Sequence, residues 1–184
     1  MVNHRPLSVA IVGAGSRGLG VFERLVAHCL AQPAPLTVHL IDPQPLGAGF
    51  HLPGQPDHLL LNTVCAQLSA FADDRMVDGP VPLPGPSLHA WCRDRDLRLA
   101  DDGYTVRAGE GREIQPNDFL PRRLLSEYLT WAAAEITAAA PGSLTLRDHR
   151  TTAVDIQPGA SGTETVVLAD GTRIDADAVF VTVG

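Results

Sequence analysis

The chain has 184 residues, 45% apolar and 19% charged, a composition that suits a folded domain and excludes a disordered one. Its formal net charge of -7 repels phosphate backbones, which excludes nucleic acid as a partner. No apolar run approaches the roughly 18 residues of a membrane span, and all 14 basic residues are arginine, which removes Schiff-base and phosphate-loop lysines.

Leu7–Val12 is short, apolar and β-branched at its end, and reads as a buried parallel strand. The glycine-rich stretch Gly13-Ala14-Gly15-Ser16-Arg17-Gly18 follows at once. Phe22, Leu25, Val26 and Cys29 then recur at helical spacing within residues 19–30. Pro33 and Pro35 stop that helix. Leu36–Ile41 is a second strand, closed by Asp42-Pro43. The opening is therefore β-α-β, with a right-handed parallel crossover expected.

Residues 43–56 are rich in glycine and proline and read as loop. Residues 58–71 are apolar enough for the interior, with a short helix expected around Ala66. Four prolines within 73–86 mark an ordered surface loop. Ser87 is placed to cap a short helix ending near Arg95. Residues 97–117 are polar and point to no one element. A long helix is expected from Pro121 to Ala139, with Leu125, Tyr128, Leu129, Ala132 and Ile136 as its apolar stripe. The tail reads as strands over 143–148, 152–156 and 163–168, a hairpin turn at Asp170-Gly171, and a last strand over 178–183 ending at Gly184. The expected fold class is α/β, a Rossmann-like parallel sheet with a β-meander. One domain is expected over 1–184, with a core of 6–72 and 115–184 and a loop-rich insertion at 73–114.

Gly13, Gly15 and Gly18 form GxGxxG in the context that gives it meaning, after a strand and before a helix. The first glycine permits the tight turn, the second lets a diphosphate approach the backbone, and the third lets helix and strand pack closely. Main-chain N–H groups of the turn, Ala14, Ser16 and Arg17 included, and the helix dipole favour the anion. Asp42 stands where a carboxylate accepts both hydroxyls of a ribose, and its charge argues against a 2'-phosphate there. On these residues alone the site holds FAD or NAD equally well, and a strand-turn-helix without a ligand is the bland alternative.

Three later segments bring in a resemblance. Gly47-Ala48-Gly49, then His58-Leu59-Leu60-Leu61-Asn62-Thr63, then Phe119-Leu120-Pro121-Arg122-Arg123 before Tyr128-Leu129-Thr130-Trp131 resemble the FAD/NAD(P)-binding flavoproteins, similar in plan to the lysine and ornithine N-hydroxylases. The closing Asp170-Gly171-Thr172 and 176–184 look like the hairpin and final strand of the two-dinucleotide-binding flavoproteins, with Val183 where that pattern has alanine. The resemblance spans nearly the whole chain. It implies FAD in extended form, with Gly49 and Gly184 added to the cofactor-binding set. Asn62 and Gln67 would lie near the isoalloxazine, and Arg122 would face either the cofactor or its own helix. It also implies NAD(P)H as co-substrate, its site carried by a C-terminal half or a second chain, since 1–184 holds no second GxGxxG.

The expected function is a FAD-binding oxidoreductase module of an NAD(P)H-dependent, monooxygenase-like flavoprotein. A non-catalytic dinucleotide-binding module needing a partner chain is the alternative, and an NAD-dependent dehydrogenase a further one. The cofactor performs the redox chemistry, so no catalytic side chain is named. No metal site is expected, because the histidines are scattered without HExxH. Ser16 lies outside any GxSxG. Asp73-Asp74 and Asp101-Asp102 read as solvated charges, and Trp91 and Trp131 as helix packing. Cys29, Cys65 and Cys92 form no CxxC. With no leader-like segment at the N-terminus, a cytoplasmic protein with reduced thiols is expected.

Overall fold

The computed structural model describes residues 5–73, 75 and 78–183. Strand β1 (Leu7–Val12), helix α1 (Ser16–Ala31) and strand β2 (Leu36–Ile41) occupy the expected β-α-β positions. Helix α1 begins at Ser16, so the second half of the glycine turn is already its first turn.

The long helix, α3, runs Arg122–Ala139 with Pro121 just outside it. Its whole expected stripe is buried. Between the two long helices, Ser87 caps α2 (Leu88–Asp94) by accepting the Ala90 N–H at 3.3 Å. The ambiguous stretch folds into three short antiparallel strands, β3 (Leu97–Leu99), β4 (Val106–Ala108) and β5 (Arg112–Glu113). Strands of two or three residues carry too little periodicity to be legible in advance.

The tail supplies β6 (Leu144–His149), β7 (Ala153–Pro158), β8 (Glu164–Leu168), β9 (Arg173–Ala176) and β10 (Ala178–Val181). Strands β10-β1-β2-β6 form a parallel sheet in that order, and β7-β8-β9 form the antiparallel meander. The architecture is the Rossmann-like parallel sheet with β-meander. Alternation along β1 explains the layering. Val9 and Ile11 join the core with Leu19, Phe22, Val26 and α3. Ala10 and Val12 pack with Ile41, Val166, Leu168, Ile174 and Ala176 of the meander.

Segment 58–71 is less interior than its composition suggests. Leu61, Cys65 and Phe71 are buried, but Leu59 is 40% exposed. Its short helix is a single 3-10 turn, Cys65–Gln67. A backbone pairing of Leu61 N–H with Leu120 O at 2.9 Å fastens it beside α3, so it is anchored at one edge rather than enclosed. Segment 78–86 is held down by the buried Glu23 of α1, which accepts the Leu83 N–H at 2.7 Å. Among the described residues no helix is long and apolar enough to cross a membrane, and no cluster of metal-ligating side chains occurs.

Candidate dinucleotide site

The C-terminal edge of the parallel sheet opens into a cleft of about 530 Å³, the position where open α/β sheets place their ligands. The glycine turn forms its floor. Gly13 has φ +92°, in the left-handed region, and a Cβ there would stand 3.0 Å from the Val183 nitrogen. At Gly18 a Cβ would reach 2.0 Å from the Gly13 oxygen, and at Gly15 3.3 Å from the Gly49 Cα. The turn therefore excludes side chains at Gly13 and Gly18, and at Gly15 a Cβ would press on Gly49.

The N-terminus of α1 is left open. Its N-cap, Gly15, offers no side chain, and no acid occupies the first turn. The first N–H groups of a helix have no partner within it, so these donors and the dipole present positive potential to the cleft.

Asp42 sits opposite, at the end of β2. Its Oδ2 accepts the Ala14 N–H at 2.8 Å and its Oδ1 accepts the Gln44 N–H at 2.7 Å. The carboxylate thus splices the glycine turn to its own strand end. Each oxygen keeps further acceptor capacity.

Of the residues singled out in the sequence, Gly13, Gly15, Ser16, Arg17, Asp42 and Gly49 line this cleft together. Ala14 and Gly18 are buried just beneath it. Asn62 and Gln67 are exposed on the neighbouring segment, outside the lining. Gly184 lies outside the described residues.

The arrangement is that of a dinucleotide crevice, and residues 10–184 match the model of the FAD-NAD(P)-binding family. The chain belongs to that family. It is a FAD/NAD(P)-binding module. An L-aspartate N-monooxygenase (nitrosuccinate-forming) from Streptomyces cremeus is 40% identical to it, over 98% of this chain and 29% of that protein. A nitrosuccinic acid synthase from Aspergillus oryzae is 37% identical, over 89% of this chain and 23% of that protein. The chain therefore spans less than a third of the length of these relatives. Among solved structures, a flavin-containing monooxygenase from Stenotrophomonas maltophilia superimposes with a TM-score of 0.54 at 15% identity, over 98% of this chain and 39% of that one. A closed form of cyclohexanone monooxygenase gives 0.55 at 13%, over 98% and 26%. At such identities the likeness shows the fold.

The structure of this family member adds residues that sequence reasoning passed over. Thr182 donates its hydroxyl to the Gly13 oxygen at 2.5 Å and to the Val12 oxygen at 3.1 Å, locking β10 to the turn. Thr151 and Thr152, just beyond β6, form the wall beside Asp42. Phe50, 78% exposed, and His51 extend the lining past Gly49. Burial, and secondly the Arg122 charge, push the His51 imidazole below its ordinary range. None of these had a local signal; each reaches the cleft through sheet order or loop path. Arg122 donates its Nε to the Leu60 oxygen at 3.1 Å. Arg123 turns away to Asp57 and to Glu127, and its hydrogen bond holds the Asp57 carboxyl below the usual range.

Proposed function

We propose that this chain is the FAD-binding part of an NAD(P)H-dependent flavoprotein monooxygenase that oxygenates the amino nitrogen of an acidic amino acid, L-aspartate being the first substrate to test. The observation that carries this reading is the 40% identity over 98% of the chain to an L-aspartate N-monooxygenase. The open glycine turn fits the cofactor: bare donors, no competing cap, and an acid one strand across.

In this reading the N–H groups of Gly15, Ser16 and Arg17 hold the diphosphate, Gly49 lets a second stretch of main chain close over it, and Asp42 accepts the hydroxyls of the adenosine ribose. Asn62, Gln67 and Gly184 stay in the set as contacts of the flavin half. FAD, when bound, carries electrons from a nicotinamide to dioxygen. The chain's own residues bind and orient it, and no catalytic side chain is assigned. We treat 1–184 as one unit with 73–114 as its insertion. The nicotinamide site and most of the substrate pocket belong to a further part of the protein or to a second chain. A cytoplasmic setting completes the reading, supported by three buried free thiols.

The test is a titration of the purified chain with FAD and with NAD, followed by visible spectroscopy. A bound flavin band supports the reading; NAD binding without FAD binding supports a dehydrogenase and overturns it. NADPH without air then separates two versions. Bleaching marks a working reductase. A persistent flavin band marks a binding module that needs a partner, the version favoured by the 29% span of the Streptomyces relative.

A further inference from the structure

The peptide that joins Gly13 to Ala14 is held at both ends by side chains from other strands. Its N–H end, on Ala14, donates to the Asp42 Oδ2 at 2.8 Å. Its carbonyl end, on Gly13, accepts the Thr182 hydroxyl at 2.5 Å. That hydroxyl also lies 3.1 Å from the Val12 oxygen. The Val12 oxygen already accepts the Thr182 N–H at 2.8 Å, whereas no main-chain N–H serves the Gly13 oxygen among the described residues. The shorter contact and the unmet acceptor both direct the hydroxyl proton to Gly13.

Sheet order and a missing side chain make this possible. Strand β10 runs parallel beside β1, with Val181 against Val12, so the next residue, Thr182, arrives where the turn begins. Gly18 leaves the space. A Cβ there would stand 2.0 Å from the Gly13 oxygen and 3.0 Å from the Thr182 Oγ1. The bare position thus makes room for a carbonyl and for the hydroxyl that holds it. Gly13, at φ +92° and without a Cβ, restrains the peptide plane little by itself. The restraint comes from Asp42 on one end and Thr182 on the other.

The clamped peptide links two binding elements. In the reading that FAD occupies the cleft, on which this rests, Asp42 takes the ribose hydroxyls and the N–H groups from Gly15 onward take the diphosphate. The peptide touches Asp42 at one side and leads directly into Gly15 at the other. A ligand that carries ribose and diphosphate on one frame gains from both elements only when their spacing is set in advance. We propose that Thr182 is a positioning residue for the cofactor: its hydroxyl, opposite Asp42, fixes the Gly13–Ala14 peptide and so the spacing between the ribose acceptor and the diphosphate donors.

The test compares FAD, ADP, adenosine and inorganic pyrophosphate on the wild-type chain, Thr182→Val and Thr182→Ser, by calorimetry for the tighter ligands and amide chemical shifts for the weaker ones. Thr182→Val keeps nearly the same shape and loses the hydroxyl. It should weaken FAD and ADP about tenfold, the scale of one lost hydrogen bond. Adenosine and pyrophosphate each need one element alone and should stay within about twofold. Thr182→Ser should recover most of the loss. Pyrophosphate or adenosine weakened as much as ADP overturns the assignment, because the turn or the acid is then damaged in itself. So does unchanged ADP affinity, or a serine variant as weak as the valine one. Amide hydrogen exchange gives a second check that needs no variant: the Ala14 N–H of the wild-type chain should exchange slowly, and exchange as fast as in an open loop overturns the clamp. A folded wild-type chain that binds neither FAD nor ADP overturns the reading of the cleft instead, which is a separate failure.

Discussion

In the insertion between α1 and α3, arginines sit next to acids: Arg93 with Asp94, Arg98 with Asp96, Arg107 with Glu110, Arg112 with Asp118. Beneath them the aromatic rings of Phe71, Trp91, Tyr128 and Trp131 pack edge to face or tilted, 5.8–6.3 Å apart, and Arg95 lies 4.4 Å over Trp91. At the cleft the pattern reverses. Glycines replace large side chains, main-chain donors at the start of α1 face outward, and Arg17 lines the cleft with no carboxylate partner among the described residues. The contrast separates two tasks. Where the chain must only hold together, most charged side chains pair with one another. Where it must hold something else, main chain and charge are left unsatisfied.

Five changes probe that contrast, from the largest expected effect downward. Gly18→Ala drives a Cβ against the Gly13 oxygen, 2.0 Å away, so it should cost about 3 kcal/mol of stability and abolish flavin retention. Urea unfolding and the visible spectrum read both; a stable, yellow variant would refute the close approach. Next comes Tyr128→Phe, in the other region. The buried hydroxyl donates to the Pro86 oxygen at 2.6 Å and accepts the Ala70 N–H at 2.9 Å. Its loss should cost about 2 kcal/mol in the same unfolding assay, with FAD affinity unchanged.

Asp42→Ala should do the opposite of Tyr128→Phe, weakening FAD by about 1–3 kcal/mol in a binding titration. Unchanged affinity would remove Asp42 from the ribose site.

A smaller effect follows from His39, stacked on His149 with their rings 5.2 Å apart. Burial first, then the charges of His149 and Arg147, hold the His39 imidazole below its ordinary 6.5. A depressed histidine favours the neutral folded form. Its contribution is therefore full above pH 6.5 and is lost as pH falls from there toward the folded value. The melting temperature should drop between about pH 7 and pH 5.5, and His39→Asn should flatten that slope; an identical slope in the variant would reject His39 as its source. Last, Arg107→Ala removes one exposed pair and should change stability by less than about 1 kcal/mol in urea unfolding. A large loss there would erase the distinction between the two regions.

Legibility followed the same division. The opening strand, turn, helix and acid were readable because each is a local demand: an apolar β-branched run, a turn with no room for Cβ atoms, a helical stripe, a carboxylate at a strand end. The α3 stripe was readable for the same reason. Strand β9 was passed over because its four residues, Arg173–Ala176, alternate too briefly to register beside the Asp170-Gly171 turn. The depth of 58–71 was overestimated because apolar composition does not tell an enclosed segment from one anchored along a single edge.

Sequence by itself determined that a diphosphate-type turn would form between β1 and α1 with Asp42 across from it, since steric and capping rules act on neighbours in the chain. Only the tertiary structure decided what completes the cleft. The strand order β10-β1-β2-β6 brings Thr182 onto Gly13 and Thr151 beside Asp42, and a loop crossing sets Gly49 against Gly15 with His51 beyond it. Those contacts depend on how distant segments share one sheet edge, which no local pattern encodes.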